Sequence, residues 1–266
     1  LLSTAFLSHG DTKHIMLFPA SPYECFEMGM EAFNLAEKFQ TLVFVMSDLD
    51  LGMNNWMSDP FPYPEKPIER GKVLSKEDLD KLGGFGRYKD VDGDGIPYRT
   101  LPGTEHPKAA YFTRGSGHNE QAHYSERPED YENNMRRLSR KLDTARTAVP
   151  TPVVHGSGKS EIGILAFGTS HWALTESLDQ LRDEHKLTPD YMRIRAYPFA
   201  PEVADFVRAH RRVYVVEQNR DAQLFSLLKL DLESELAPRL RSVARLDGLP
   251  IDARSVTEDI AAKEAK

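Results

Sequence analysis

Asp90, Asp92 and Asp94, at alternate positions in "DVDGDG", are a dense group of hard oxygen donors. With Gly95 they reproduce the first six positions of a calcium loop, which bends carboxylates around one cation. The pattern then breaks, because Leu101 stands where a bidentate glutamate belongs and Pro97 lies inside the loop. An Asp/Gly turn that bonds its own backbone needs no such completion. The segment reads as a turn first, with Asp90, Asp92 and Asp94 a weak metal-binding candidate and no other metal site expected. "HGSGKS" (155–160) ends like a phosphate-binding loop, but Val153 occupies the position where that pattern needs glycine. A linker precedes it and a strand follows, the reverse of the required strand-loop-helix order. In "HNEQAH", His118 and His123 are five apart, which on a helix turns them roughly 140° away from each other. Neither motif carries chemistry.

His9, Gly10 and Asp11 make a polar turn directly before an apolar strand. One further group is a candidate by position. Asp48, Asp50 and Asn54 follow the carboxyl end of a second strand, where open α/β sheets hold their ligands. Interface contacts are an equal reading of these three.

The elements that must position these residues are legible from periodicity. "HIMLFPA" predicts a buried strand and "SPYECFEMGMEAFNLAEKF" a helix, with Ser21 as cap, Pro22 at its first position and Glu24 three residues after the cap. Cys25, Met28, Gly29, Ala32, Leu35, Ala36 and Phe39 recur at helical spacing, so the lone cysteine reads as core packing. "TLVFVMSD" predicts a central parallel strand. This βαβ unit cannot close a domain alone, and its sheet edges are expected to be completed by polypeptide beyond this chain. Residues 54–160 are crowded with Pro, Gly, Asp and Tyr and are expected to be irregular, with helices at 75–82 and 128–146 and a flexible linker at 147–160. From residue 161, strands alternate with helices, which indicates a doubly wound α/β domain. Trp172 and Leu178 are expected on the core face of a helix, and His171 at its exposed start.

Composition excludes several classes. The chain has 266 residues, 40% of them hydrophobic and 28% charged, with a net charge of −7 and one cysteine. No basic face suits nucleic acid, no apolar run is long enough to span a bilayer, and a cytoplasmic location is expected. One cysteine can form no internal disulfide and cannot supply the four thiolates of an iron–sulfur cluster.

The segments "SHGDTKHIMLFP", "ECFEMGMEAFNLAEKFQTLVFVMSDLDLGMN", "RGKV", "FGRYKDVDGDGIPYRTLPGTEHPKAAYFTRG", "NMRRL", "VYVVEQNRDAQ" and "DGLPIDAR" resemble, in order, the α subunit of 2-oxoglutarate:ferredoxin oxidoreductase. That family is one of 2-oxoacid:acceptor oxidoreductases that use thiamine diphosphate. The resemblance implies an α/β fold in three parts. Residues 1–60 would be the back half of the pyrimidine-binding domain, 61–160 an irregular connecting segment and linker, and 161–266 a transketolase C-terminal-like doubly wound domain. The family's upstream glutamate, its Tyr-Pro-Ile-Thr-Pro stretch and its carboxylate-pairing arginine motif have no counterpart here, so a C-terminal fragment, inactive alone, is expected.

By the same resemblance, the activity is coenzyme A-dependent oxidative decarboxylation of 2-oxoglutarate to succinyl-CoA, with electrons passed to ferredoxin. Thiamine supplies carbanion stabilisation and protein supplies orientation. A partner β subunit would hold a [4Fe-4S] cluster, the diphosphate and its magnesium, in a dimer of αβ pairs. His9, Gly10 and Asp11 would match the family's turn near the active site, where a histidine would donate to an anionic substrate and glycine would admit close backbone approach; a capping Asp11 and a His9 packed at an interface fit equally well. The alternatives are a sister enzyme for pyruvate or branched-chain 2-oxoacids, and a non-catalytic cation-binding or interaction module.

Overall fold

The computed structural model describes residues 1–8, 10–115 and 117–265. A single helical turn, α1 (Leu2–Ala5), leads into β1 (Ile15–Leu17), buried along its length. The cap-and-proline signal then opens α2 (Pro22–Phe39): Ser21 accepts from the Glu24 amide at 3.2 Å and Pro22 has no amide left to orphan. Met28, Leu35 and Phe39 form its buried stripe. Gln40 ends the helix in the left-handed region, at φ 50°. β2 (Val43–Val45) lies parallel to β1, with Ile15 opposite Val43. A short helix, α3 (Leu49–Met53), follows.

The connecting segment is irregular but not coreless. α4 (Lys76–Leu82) starts with a reciprocal capping box between Ser75 and Asp78. Leu74, Leu79 and Ala109 make a small satellite core beneath its loops. α5 (Pro128–Ala145) delivers Ala145, with Val149 just beyond, to the face of β1 already covered by α2. Where a linker was expected, β3 (Val153–His155) instead joins a sheet. Its short run of β-branched residues suffices for an edge strand.

β4 (Ile162–Phe167), α6 (Ser170–His185), β5 (Asp190–Ile194), β6 (Ala196–Tyr197), α7 (Pro201–Ala209), β7 (Arg212–Glu217), α8 (Gln223–Asp231), β8 (Leu240–Ala244) and α9 (Ala253–Glu264) complete the chain. The five-stranded sheet has order β3-β5-β4-β7-β8, all parallel except β3. Strand alternation divides its side chains between two faces. Ile164, Ala166, Tyr214 and Val216 meet Leu174 and Leu181 of α6 and Val256 and Ile260 of α9. Leu165, Val213 and Val215 meet α7 and α8. This is the doubly wound α/β architecture expected from the alternation. No helix among the described residues is long and apolar enough to cross a membrane.

The phosphate-loop lookalike is occupied by the protein itself. The Asp190 carboxylate accepts from the Gly158 amide at 3.0 Å and the Ser160 amide at 3.1 Å, while His210 donates to it at 3.1 Å. The loop amides that a phosphate would need already hold an internal anion.

The expectation that outside strands complete both edges of the first sheet fails on one side. β6, which follows β5, pairs antiparallel with β1, setting Met16 opposite Tyr197. The outer edge of β2 has no partner among the described residues. Met16 and Phe18 share one core cluster with Leu165, Val213 and the α7–α8 face, so the two sheets are not independently packed. Trp172 also departs from its expected core position: it is 46% exposed and its indole donates to the Ala20 carbonyl at 2.6 Å. It bridges the units instead of filling either core. Leu178 does pack at the edge of the α6–α9 core.

Candidate functional site

The carboxyl ends of β7 and β8, with the turn after β2, open onto a cleft of about 640 Å³, lined by Asp48 and Asp50 from the first unit and Gln218, Asn219, Arg220 and Arg245 from the second. Parallel strands ending together leave their following turns to form such a crevice. The turn after β4 contains Gly168 at φ 59°, where a Cβ would stand 3.3 Å from the Asp48 carboxylate. Glycine thus permits both the left-handed turn and the approach of Asp48.

Asp48 works in two directions. One carboxylate oxygen accepts from the Leu51 amide at 2.9 Å and caps α3. The other accepts from the Thr169 hydroxyl at 2.6 Å and its amide at 3.3 Å. Asp50 accepts from the Asn54 amide group, and its own carbonyl accepts from the Trp56 indole at 3.0 Å. Asn54 therefore closes α3 and does not line the cleft.

The "EQN" turn after β7 organises the opposite wall. Glu217 is fully buried, accepts from the Leu224 and Phe225 amides at 2.8 and 3.0 Å, and so caps α8. Asn219 also donates to it, at 2.6 Å. Gln218 donates to the Ser170 hydroxyl at 3.1 Å and accepts from the Ile251 amide at 3.2 Å. These residues were quoted as part of a resemblance but not as site candidates. Their partners are remote in sequence, so spacing could not reveal them.

Behind the cleft, the units are riveted by Glu24. It accepts from both terminal nitrogens of Arg193, at 2.6 and 2.8 Å, and from the Ala20 amide at 2.8 Å, with Arg195 at 3.2 Å. Burial alone would raise the Glu24 carboxyl, but the Arg193 and Ala20 bonds and both guanidinium charges hold it below its ordinary value. His171 was expected at an exposed helix start and is instead half-buried, with Nδ1 3.2 Å from the Tyr191 hydroxyl. Burial, then the charges of Arg193 and His155, push it down to about 4. It is neutral at pH 7.

The first-turn candidates lie elsewhere. His9 is outside the described residues. Gly10 and Asp11 are exposed, and the Gly10 carbonyl accepts from the Thr12 amide at 3.0 Å. Neither lines the cleft. Next to that turn, His14 is buried, with Nε2 3.0 Å from the Ser8 hydroxyl and Nδ1 lacking a partner among the described residues. Burial, then Lys141, lowers it.

Asp90, Asp92 and Asp94 do not converge on one point. The Lys72 ammonium donates to Asp92 at 2.6 Å, Asp94 at 2.8 Å and the Ile96 carbonyl at 3.0 Å, while Arg140 donates to Asp90 at 3.0 Å. A side-chain cation sits where a metal would. Among the described residues, no three His, Cys, Asp or Glu side chains are grouped to hold a metal ion. Cys25 is half-buried, and burial followed by Glu24 and Asp48 raises its thiol.

No family model matches the chain. It is 30% identical, over 94% of its length, to 2-oxoacid:ferredoxin oxidoreductase 2, subunit alpha, of Aeropyrum pernix, and spans 38% of that protein. It is 26% identical, over 88% of its length, to 2-oxoglutarate synthase subunit KorA of Methanothermobacter marburgensis, and spans 61% of it. Among solved structures, 2-oxoglutarate:ferredoxin oxidoreductase from Magnetococcus marinus, with 2-oxoglutarate, coenzyme A and succinyl-CoA bound, superposes on the whole chain with a TM-score of 0.84 at 24% identity. The chain covers 45% of that structure's chain. That likeness is one of fold.

Proposed function

We propose that this chain, a homologue of the α subunits of 2-oxoacid:ferredoxin oxidoreductases, serves in an enzyme that oxidatively decarboxylates 2-oxoglutarate to succinyl-CoA and passes the electrons to ferredoxin. The supporting observation is a relationship that runs along 94% of the chain to one such α subunit. The name of the KorA relative supports 2-oxoglutarate over other 2-oxoacids.

Thiamine diphosphate, when bound in such an enzyme, supplies the carbanion stabilisation that decarboxylation of a 2-oxoacid needs. The donor set on this chain does not fit the metal-bound parts of the machinery. A cluster needs several thiolates, and the one cysteine has its thiol raised. Magnesium on a diphosphate needs converging oxygens, and Asp92 and Asp94 are committed to Lys72. In this reading, as the resemblance implies, a partner β subunit holds the [4Fe-4S] cluster and the magnesium diphosphate, in a cytoplasmic dimer of αβ pairs. This chain's own residues join the pyrimidine-binding half to the transketolase-like domain and set their angle through Glu24, Asp48 and Trp172. In this reading Gly10 and Asp11 face the substrate, and coenzyme A is the acyl acceptor.

The test is ferredoxin reduction by the protein purified with its partner subunit, compared across 2-oxoglutarate, pyruvate and 2-oxoisovalerate with coenzyme A present. The expected result is preference for 2-oxoglutarate and no turnover by this chain alone. Faster reduction with 2-oxoisovalerate would select a second reading, a branched-chain enzyme. That reading is favoured by 38% identity over 61 residues to a ketoisovalerate oxidoreductase subunit VorB. No reduction with any 2-oxoacid overturns both.

A further inference from the structure

The chain carries a net charge of −7, yet one groove in the connecting segment inverts that sign. It holds about 850 Å³ and is lined by Arg87, Lys108 and Arg114, with no carboxylate among its lining residues. Its volume is that of a small-molecule site. Its floor is an interlocked aromatic and guanidinium surface. Phe85 meets Tyr111 edge to face at 6.1 Å, and the Arg87 guanidinium lies 5.5 Å from the Tyr111 ring centre and 5.0 Å from that of Tyr88.

Two donors on Arg87, Nε and Nη1, are shielded from solvent and have no acceptor among the described residues. Arg137, only 6% exposed, also has an unpartnered Nε. Burial, then Arg87, disfavours its charge, and burial with Arg137 and Arg87 pushes the neighbouring Lys141 down to about 8. Asp90 is the nearby carboxylate, and Arg140 already donates to it. Positive charge behind the groove therefore exceeds its protein counter-charge. Buried guanidinium donors left unpaired are costly, and an anion in the groove would relieve them.

Tyr111, Phe112 and Tyr124 are 44%, 78% and 57% exposed around the same groove. The Tyr124 hydroxyl donates to Glu126, a carboxylate outside the lining. Exposed aromatic faces beside cations are the surfaces on which bases stack while phosphates are held. Gly86 keeps the loop low, since a Cβ there would stand 2.9 Å from the Lys89 side chain and 3.0 Å from the Glu120 carbonyl.

We propose that this groove binds a phosphate-bearing ring compound of the nucleotide class, its phosphates on Arg87, Lys108 and Arg114 and its ring against Tyr111 and Phe112. The groove shares no lining residue with the cleft at Asp48. The assignment goes beyond the oxidoreductase reading, because binding is read without turnover.

The experiment titrates the protein, with its partner subunit, against N-methylanthraniloyl-ADP, using ADP, adenosine and inorganic phosphate as competitors. Saturable binding is expected. ADP should displace the probe, and adenosine or phosphate should each do so at least about tenfold less well. Arg114→Gln, and its combination with Lys108→Gln, which also gives up the Lys108 bond to the Gly83 carbonyl, should weaken binding, the double variant by about tenfold or more, with the single variant leaving the melting temperature unshifted. Probe binding that this double variant leaves unchanged overturns the site, as does no saturable binding below about 1 mM. Displacement by phosphate as strong as by ADP overturns the ring. Arg87→Lys, which keeps the charge but loses the fork, should weaken the diphosphate more than the monophosphate; equal losses would count against Arg87 as the phosphate ligand.

Discussion

Asp48 caps a helix with one oxygen and holds the β4–α6 turn with the other, so its loss is felt at both places. Asp48→Ala should cost about 2 kcal/mol, roughly half from the cap and half from the Thr169 bond. Asp48→Asn should recover part of that, and urea denaturation of the pair measures the difference. His171 gives a pH dependence with a definite sign. Its folded value, about 4, lies below its ordinary 6.5, so its contribution is complete above pH 6.5. It is lost as the pH falls from 6.5 towards 4, because the unfolded chain takes up the proton first. Discounted for partial exposure, the loss is roughly 1–2 kcal/mol. The fall in melting temperature between pH 7 and pH 5 should shrink in His171→Gln. An equal fall would mean the imidazole is not the titrating group. Lys72 offers a third test. Lys72→Met removes the cation between Asp92 and Asp94 and should cost about 1 kcal/mol, since the pair is partly exposed. Millimolar calcium should raise the melting temperature of this variant and leave the parent unmoved.

At the scale of elements, Glu217 decides whether α8 starts where it does. Its two oxygens receive the Leu224 and Phe225 amides in full burial, and Ala222, just before the helix, sits in the left-handed region at φ 48°. Glu217→Gln turns an acceptor into a donor facing donors. It should destabilise the protein by about 3 kcal/mol, visible as a lower denaturation midpoint. Signals of this kind also mark what was legible in the sequence. α2 and α4 could be read from their caps, because Ser21, Pro22 and the Ser75–Asp78 box act within one turn. The order of strands and helices after residue 161 followed from alternation. β3 was hidden because three residues between prolines and glycines carry no periodicity, and β6 because two residues beyond β5 look like its continuation. The candidate site divides in the same way. Asp48 and Asp50 were found because strand ends are local, whereas Glu217 and Gln218 owe their roles to partners brought by the fold. His171 was misplaced because the rings stacked against it, His155 and Tyr191, lie on strands it meets only after folding.

At the scale of the whole molecule, one apolar cluster runs from Met16 of β1 and Phe18 just beyond it to Leu165 and Val215 of the second sheet and Leu227 of α8. Polar ties close around it. Arg193 forks onto Glu24, and Arg146 forks onto Asp231 at 2.6 and 2.9 Å, the latter joining α5 to the end of α8. A shared core couples the unfolding of its parts more strongly than surface contacts do, because neither half keeps its buried face when the other opens. The two units should therefore unfold in a single transition, with far-UV circular dichroism and tryptophan fluorescence coincident, since Trp56 and Trp172 sit 5.9 Å apart at the junction. Arg146→Ala would leave the Asp231 carboxylate, 3% exposed, with Lys13 at 3.9 Å as its remaining ion-pair partner among the described residues. The expected loss is about 3 kcal/mol, with both probes moving together. If fluorescence moved alone while the ellipticity of the five-stranded domain held, the junction would be a docking contact between separable domains, and the geometry set by Glu24 and Asp48 would be adjustable.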